Sequence, residues 1–589
     1  MTNTRLLPRV VMAGLAALAV AASVSGADPR NVATGSLIYE HGYCDQPYVV
    51  VLDGGAWLCV FTTSGGKEGS QSQYIAATRS TDLGKTWSEP VPIEPPGGPE
   101  ASWAMPLLTG FGRVYVFYSY NGDMVRALPD GKPARADMLG WYCAKYSDDG
   151  GATWSGRIRL PMRTTACDLT NDWAGQVQVF WGIGKPVVQG EAAIFAFTKI
   201  GKYMLDHGEG WFFRSDNVLR ERDASKVVWE LLPEGENGVR APEFGSIQEE
   251  HNIAPMADGG LYCVYRTTLG HPAESYSRDG GRTWSTPECV RYTDGRPIKH
   301  PRACPRLWRT ENGKYLLWHH NHGGTGFEDR NPAWVSGGTE KDGRILWSQP
   351  EILLYGDDLS NAAGRFSYPD LIEQDGRCWV TTTQKTRASV HEVDPRLLEG
   401  LWGQDTRAEV AREGLALELV APLPREAPRV VLPSLAEGGF AVEFSVAFEA
   451  LDAGQVVLDT RNENGRGLVV STDEFSAVQL LLSDANMTAA WTCDPGLMQA
   501  GKQHHVIVVV DGGPNIISFV VDGVLCDGGA RRQFGWWRFP PDLRDANGGE
   551  MWRVAPRLRG RMGLLRVYTR HLRTSEAISN YRAWLSGHS

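Results

Sequence analysis

The chain has 589 residues, a formal charge of −10 at neutral pH, and 42% hydrophobic against 22% charged residues. That length holds more than one core, and the acidic balance argues against a general surface for nucleic acid or other polyanions. Beyond the N-terminal region no stretch approaches ~18 consecutive apolar residues, so no stable membrane insertion is expected.

Arg5 and Arg9 precede an apolar run from Val10 to Val24, and Ser25-Gly26-Ala27 supplies small residues where a signal peptidase cuts. This pattern predicts a cleaved signal peptide over residues 1–27 and a secreted or periplasmic mature protein. All ten cysteines follow it, and an even count in an exported protein permits disulfides. Cys59, Cys263 and Cys378, however, sit in matching apolar segments and read as buried thiols. No Cys/His spacing matches a zinc site; no cofactor is expected, with calcium in the C-terminal part left open.

A repeat organises the first two thirds. Ser80-Thr-Asp82-Leu-Gly84-Lys-Thr86-Trp87, Ser147-Asp-Asp149-Gly-Gly151-Ala-Thr153-Trp154 and Ser277-Arg-Asp279-Gly-Gly281-Arg-Thr283-Trp284 share the pattern S-x-D-x-G-x-T-W. Degenerate units fit from Phe213 to Trp229, from Ser336 to Trp347, and from Ser367 through Asp375-Gly376 to Thr383, which makes six. The segments Val49 to Phe61, Ile253 to Tyr265 and Leu307 to His319 read as hairpins, and hairpins repeating every ~60 residues are propeller blades. Within each box the Asp can accept backbone N–H bonds, the Gly can take a positive φ and the Trp can pack between blades, so the box is structural.

The repeat stops near Asp394. The proline-rich run Ala421 to Pro428 predicts a linker over residues 421–435, separating a propeller over 28–420 from a second domain over 436–589. Phe440-Ala-Val-Glu-Phe-Ser-Val, His505-Val-Ile-Val-Val-Val and Ile517-Ser-Phe-Val-Val alternate as strands of a β-sandwich do. A fragment cut within Ala421 to Pro428 is therefore expected to fold alone.

Three boxes in a six-unit chain resemble the sialidase superfamily, the Asp-box or BNR-repeat propellers, over residues 36 to 395. The C-terminal segments resemble laminin-G/concanavalin sandwiches. The expected fold is all-β: a six-bladed sialidase-like propeller followed by a β-sandwich. The resemblance also implies chemistry: arginines that grip a carboxylate bidentately, a tyrosine nucleophile activated by a glutamate, and a carboxylic acid/base.

On that pattern Tyr368, in Phe366-Ser367-Tyr368-Pro369-Asp370-Leu371, is similar to the nucleophile, with Asp370 beside it as a substrate contact. Arg266 follows Glu250 by 16 residues, like the family's second arginine and its glutamate, and Arg330 looks like the third arginine, with Arg302, Arg306 and Arg365 as competitors. Neighbours in a strand face opposite ways, so either Glu250 or His251 is the base or substrate contact at that point. The departure is at the first arginine, where the family's Arg-Ile-Pro is replaced by Asp45-Gln46-Pro47. Glu68, 23 residues on, is the carboxylate nearest the place of the family's acid/base, which leaves Glu68 or Asp45 for that role. His300, His319, His320 and His322 fit no standard metal spacing and read at most as substrate contacts. The implied function is a secreted exo-glycoside hydrolase acting on glycans with an acidic or sulfated sugar; a propeller polysaccharide lyase and a noncatalytic glycan-binding protein are the alternatives.

Overall fold

The computed structural model describes residues 27–360, 365–436 and 438–587. The expected signal peptide, residues 1–27, falls almost wholly outside the described residues. Six antiparallel sheets follow one another along the chain, and their inner strands include Tyr43–Val51, Ala101–Leu108, Gln248–Pro255, Arg306–Arg309 and Ser367–Gln374. Tyr43–Val51 packs against both Ala101–Leu108 and Ser367–Gln374, while Arg306–Arg309 packs against Gln248–Pro255 and Ser367–Gln374. The sixth sheet is completed by the N-terminal strand Ser36–Tyr39 pairing with Ala388–Glu392. A ring closed in this way leaves no free sheet edge between its first and last units, and the fold is a six-bladed β-propeller.

Strands such as Trp57–Ser64 and Val114–Tyr120 are buried along their whole length, as a sheet covered on both faces requires. The boxes sit between the third and fourth strands of their blades and act as turns. Asp82 Oδ1 accepts from Thr86 N at 2.9 Å and Oδ2 from Thr86 Oγ1 at 2.6 Å, and Gly84 N donates to Ser80 Oγ at 2.9 Å. Asp149 and Asp279 repeat the arrangement. In the third blade Ser215 and Asn217 keep part of it, whereas Asp342-Gly343 and Asp375-Gly376 are simple hairpin turns. All ten cysteines are free thiols; Cys59 and Cys263 are buried as expected, and Cys378 is half-buried. Among the described residues no helix is long and apolar enough to cross a membrane.

The C-terminal part is a sandwich of a seven-stranded and a six-stranded sheet. Along Gly439–Phe448, Phe440, Val442, Phe444, Val446 and Phe448 point into the sandwich core, while Ala441 packs on the opposite side among Tyr568, Ala577 and Ile578. The run expected as a linker lies inside this sandwich. Leu415–Val420 pairs with Gly560–Tyr568, and Glu426–Pro428 pairs with Met551–Arg557. Each is an edge strand; Pro428 lies in the second, where a proline is tolerated because an edge need not donate on both sides, while Pro422 and Pro424 lie in the connection between the two strands. Sequence reading took this run for a break between domains, whereas it is the short connection between two edge strands of one sandwich.

The two parts also share a core. Trp334 and Ile352 of the fifth blade pack with Ile507, Val509, Ile516 and Trp536 of the sandwich. Arg30 pairs with Asp511 at 2.7 Å and Arg296 with Asp527 at 2.7 Å. Glu351 accepts from Thr574 N at 2.9 Å and Ser575 N at 2.7 Å, at the N-terminus of helix Thr574–Ser586, where a carboxylate meets the positive end of the helix. A cavity of about 880 Å³ remains at this junction.

This junction changes what a truncation should do. A chain ended at Val420 would uncover Trp334 and Ile352, each worth about 1.5–3 kcal/mol when buried, and would leave Leu415–Val420 without its partner strand. It is expected to be insoluble, or to unfold well below the full chain in a thermal scan. A soluble fragment with an unchanged unfolding temperature would show the shared core to be dispensable.

Candidate active site

Four inner strands break register at one level of the ring: between Asp45 and Tyr48, Ser102 and Met105, Glu249 and Asn252, and Ser367 and Asp370. In each break one residue takes a left-handed backbone: Gln46 at φ 51°, Trp103 at 64°, Glu250 at 57° and Tyr368 at 42°. That conformation costs a non-glycine residue about 1–2 kcal/mol. Bulges of this kind re-aim side chains and gather at functional sites.

The bulges bring Tyr368 and Glu250 together from the sixth and fourth blades. The Tyr368 hydroxyl donates to Glu250 Oε1 at 2.8 Å, and Arg266 Nη1 reaches the same oxygen at 2.7 Å. Both side chains are buried. Burial first, and then the charge of Glu250, hold the Tyr368 phenol well above its ordinary value, so it rests neutral. Arg266 Nε also pairs with Glu249 at 2.5 Å, and Glu249 in turn binds Arg302 at 2.6 Å. Arg330 Nη1 donates to Ser367 Oγ at 3.0 Å and Nη2 to the Arg302 carbonyl at 3.0 Å. Among the described residues it has no carboxylate partner, and burial lowers its guanidinium from the ordinary value. The Phe327 ring lies within 4.5 Å of Arg302 and 5.8 Å of both Arg266 and Arg330.

The opposite side of Tyr368 faces a chain of alternating charges. Lys385 Nζ stands 4.5 Å from the centre of the Tyr368 ring, 2.6 Å from Asp45 Oδ2 and 3.2 Å from Glu68 Oε2. Arg135 then joins Glu68 at 3.1 Å to Asp137 at 2.6 Å. The Tyr43 hydroxyl donates to Asp45 at 2.8 Å, and Trp103 meets the edge of Tyr368 at 5.7 Å. Burial pushes the Asp45 carboxyl above the usual carboxylate range in spite of Lys385. For Glu68 burial acts the same way, but Lys385 and Arg135 outweigh it and hold the group below that range.

Two expected site residues lie elsewhere. His251 is buried between the third and fourth blades, its ring stacked on Tyr265 at 4.2 Å and its Nδ1 3.0 Å from Thr198 Oγ1. Asp370 is buried as a tie between blades, accepting from Val49 N at 2.8 Å and Lys185 Nζ at 2.7 Å. The bulge explains both: it turns Glu250 toward Arg266 together with its neighbour Glu249, and strict alternation resumes only after it. The four histidines of the fifth blade are likewise buried, with His319 Nε2 3.1 Å from Ser336 Oγ and His300 stacked on His320 at 5.7 Å. Among the described residues no group of three His, Cys, Asp or Glu is placed to hold a metal ion.

Sequence reasoning missed Lys385, Glu249, Arg135, Asp137, Trp103 and Phe327. Glu249 adjoins Glu250, and Lys385 follows the last-blade strand Arg377–Thr383 by two residues, which is a usable clue. Arg135 and Asp137 lie in a long loop of the second blade with no repeat to mark them.

Residues 426–578 match the family model of the concanavalin A-like lectin/glucanase superfamily, so the sandwich is a concanavalin-like domain. A stretch of 180 residues, 28% of this chain, is 26% identical to the anhydrosialidase of Macrobdella decora and spans 18% of that protein. Among solved structures the chain is similar to the intramolecular trans-sialidase from Ruminococcus gnavus, with a TM-score of 0.44 and 17% identity over 63% of this chain and 99% of that one. It is also similar to Trypanosoma rangeli sialidase, with a TM-score of 0.41 and 14% identity over 92% of this chain and 94% of that one.

The buried histidines make this scaffold acid-sensitive. Burial pushes His251 and His319 down to about 3 and His322 to about 4, against about 6.5 in an unfolded chain. Between those values the unfolded state binds more protons, so stability is complete above pH ~6.5 and declines as pH falls toward 4. Urea midpoints should therefore drop from pH 7 to pH 5. His251→Phe keeps a ring against Tyr265 and removes one such proton, which should flatten the dependence by up to ~1.4 kcal/mol per pH unit. An unchanged slope in the variant would mean that His251 is protonated in the fold.

Proposed function

We propose that this protein is a retaining exo-glycosidase of the sialidase type, exported from the cell, that acts on glycans carrying an acidic or sulfated sugar. The observation that carries the reading is the buried Tyr368 hydroxyl donating to Glu250 Oε1 at 2.8 Å. A phenol of pKa ~10 is a poor nucleophile at neutral pH, and burial makes ionisation before reaction harder still. Tyr368 therefore attacks as its proton passes to Glu250, which Arg266 keeps in place.

Of the two candidate acids, Asp45 is the one better able to carry a proton, because burial raises it to about 6, while Lys385 and Arg135 hold Glu68 down. In the first step the Tyr368 oxygen bonds to the anomeric carbon, Glu250 takes the phenol proton and Asp45 gives its proton to the departing glycosidic oxygen. In the second, water bonds to that carbon and yields a proton to Asp45, and the Tyr368–carbon bond breaks as the phenol regains its proton from Glu250. Two displacements retain configuration. This tyrosine route departs from the two-carboxylate scheme of most glycosidases.

Arg330 is the guanidinium left for an acidic substituent, since Arg266 and Arg302 already share Glu249. Asp45 stands where sialidases carry their first arginine, but it is neutralised by Lys385, so the site is not repulsive to anions as position 45 alone implies. The lyase alternative, whose base would be Tyr368 or His251, loses the histidine, because that ring is packed against Tyr265.

A screen against chromogenic glycosides and sulfated or uronic polysaccharides, with products read by mass, is the first test; products with new ultraviolet absorption would mean a lyase. On the substrate so found, Tyr368→Phe should retain folding and glycan binding while turnover falls about a thousandfold or more, and Glu250→Gln should be nearly as severe. If Tyr368→Phe keeps most of its activity, the tyrosine mechanism fails for this chain.

Sialyllactose should be turned over slowly, because one uncompensated guanidinium replaces a grip by three; a charged hydrogen bond is worth about 1.5–3 kcal/mol. Efficient release of sialic acid would overturn the reading that a single free guanidinium, Arg330, grips the acidic group.

A further inference from the structure

The segment 321–331 carries Phe327 and Arg330 into the candidate site, and much of what holds it comes from the sandwich rather than the propeller. Trp536 Nε1 donates to the Asn321 carbonyl at 3.0 Å. Gly323 N donates to the Gln533 carbonyl at 2.9 Å. The Gln533 amide meets His322 Nδ1 at 3.1 Å, and Phe534 stacks on the same ring at 4.8 Å. At the far end Arg538 Nη2 donates to the carbonyl of Asn331, the residue after Arg330, at 2.8 Å.

His322 links the two ends. Its Nε2 lies 2.9 Å from the Asp329 carbonyl, beside Arg330. With Nε2–H donating there, Nδ1 is left to accept from Gln533, so the ring joins the sandwich to the last turn before the arginine.

The sandwich segment 527–538 is itself firmly built. Asp494 accepts from Asp527 N and Gly528 N, each at 3.0 Å, and from Arg532 at 2.7 Å. Trp491 Nε1 donates to the Gly535 carbonyl at 3.1 Å. On the propeller side Lys299 Nζ donates to the carbonyls of Gly529 at 2.6 Å and Arg532 at 2.8 Å. A segment fixed at both bases and bonded at four residues of 321–331 sets where that segment can lie. Displacements of ~1 Å in groups that position a ligand are enough to cost large factors in binding or rate.

We infer that residues 527–538 of the concanavalin-like domain are a positioning element of the candidate site, which sets the placement of Arg330 through Asn321, His322 and Asn331. Arg538 and Trp536 are positioning residues in this scheme, and the sandwich completes a site otherwise built by the propeller. The inference rests on Arg330 being the cation that meets the ligand.

The test uses the full chain with Arg538→Ala, Arg538→Lys and Trp536→Phe, the last removing one N–H donor while keeping a ring in place. Phe475→Ala serves as control, because that exposed ring lies in the turn between strands Gly467–Thr472 and Val478–Ser483 of the sandwich, outside segment 527–538. Amide hydrogen exchange over 321–331 should quicken at least tenfold in Arg538→Ala and Trp536→Phe but not in the control, with Gln248–Pro255 and Ser367–Gln374 unchanged. Dissociation constants for glucuronic acid and galactose 6-sulfate, measured by calorimetry, should rise about tenfold in Arg538→Ala and recover in part in Arg538→Lys.

Unchanged exchange over 321–331 in both variants would overturn the inference. So would faster exchange with wild-type affinity in Arg538→Ala, provided Arg330→Ala abolishes binding. If Arg330→Ala itself binds as the wild type does, or the wild type binds neither probe, the proposed role of Arg330 falls, and the exchange result alone decides whether the sandwich holds the segment.

Discussion

Glu250 is a carboxylate with almost no exposure, and an ionised group in that position persists only with partners that replace water. It has them in Arg266 and Tyr368, which converge on one of its oxygens from two different strands. The rest of the site is arranged so that this convergence is possible. The backbone at Glu250 and at Tyr368 is left-handed, a local cost that the surrounding ladder absorbs, and Arg266 is braced by Glu249, which is braced in turn by Arg302. Weakening any member leaves a buried charge short of a partner, which costs more than the contact itself contributes.

Charge compensation also explains why the site is compatible with a first position that carries aspartate. The positive charge absent at Asp45 is delivered by Lys385, from the turn after a strand of the neighbouring blade. Lys385 touches both Asp45 and Glu68, and Arg135 adds a second cation to Glu68 alone: burial prevails at Asp45 and pushes it above the usual carboxylate range, while the two cations hold Glu68 below it. Two carboxylates whose proton affinities are pushed apart in this way, beside a tyrosine, are an arrangement that acid/base chemistry uses. Arg330 is the buried cation this network leaves without an anion.

The concanavalin-like domain is bound to the propeller by a shared apolar core, by ion pairs and by hydrogen bonds to carbonyls of the segment that carries Arg330. A tethered sugar-binding module would need only a linker. An extensive buried junction instead makes the two parts mechanically one, and relative motion is not the default expectation when an interface is large and apolar.

Much of this was legible in the chain. The three S-x-D-x-G-x-T-W boxes, the hairpin rhythm and the alternating segments after Phe440 identify blades and a sandwich, because turn chemistry and strand alternation are local and leave a mark at fixed spacing. Tyr368, Glu250, Arg266 and Arg330 could be named only through the resemblance of their segments to sialidase motifs. The sequence alone did not show that alternation fails at Glu249-Glu250-His251, since a bulge is a product of pairing between strands. Nor did it show that Asp45 is neutralised from 340 residues away, that the run after Ala421 joins two edge strands of the sandwich, or that Trp536 and Arg538 hold the segment bearing Arg330. Each of those is a contact between residues far apart in the chain, settled only when the ring closes and the sandwich docks on it.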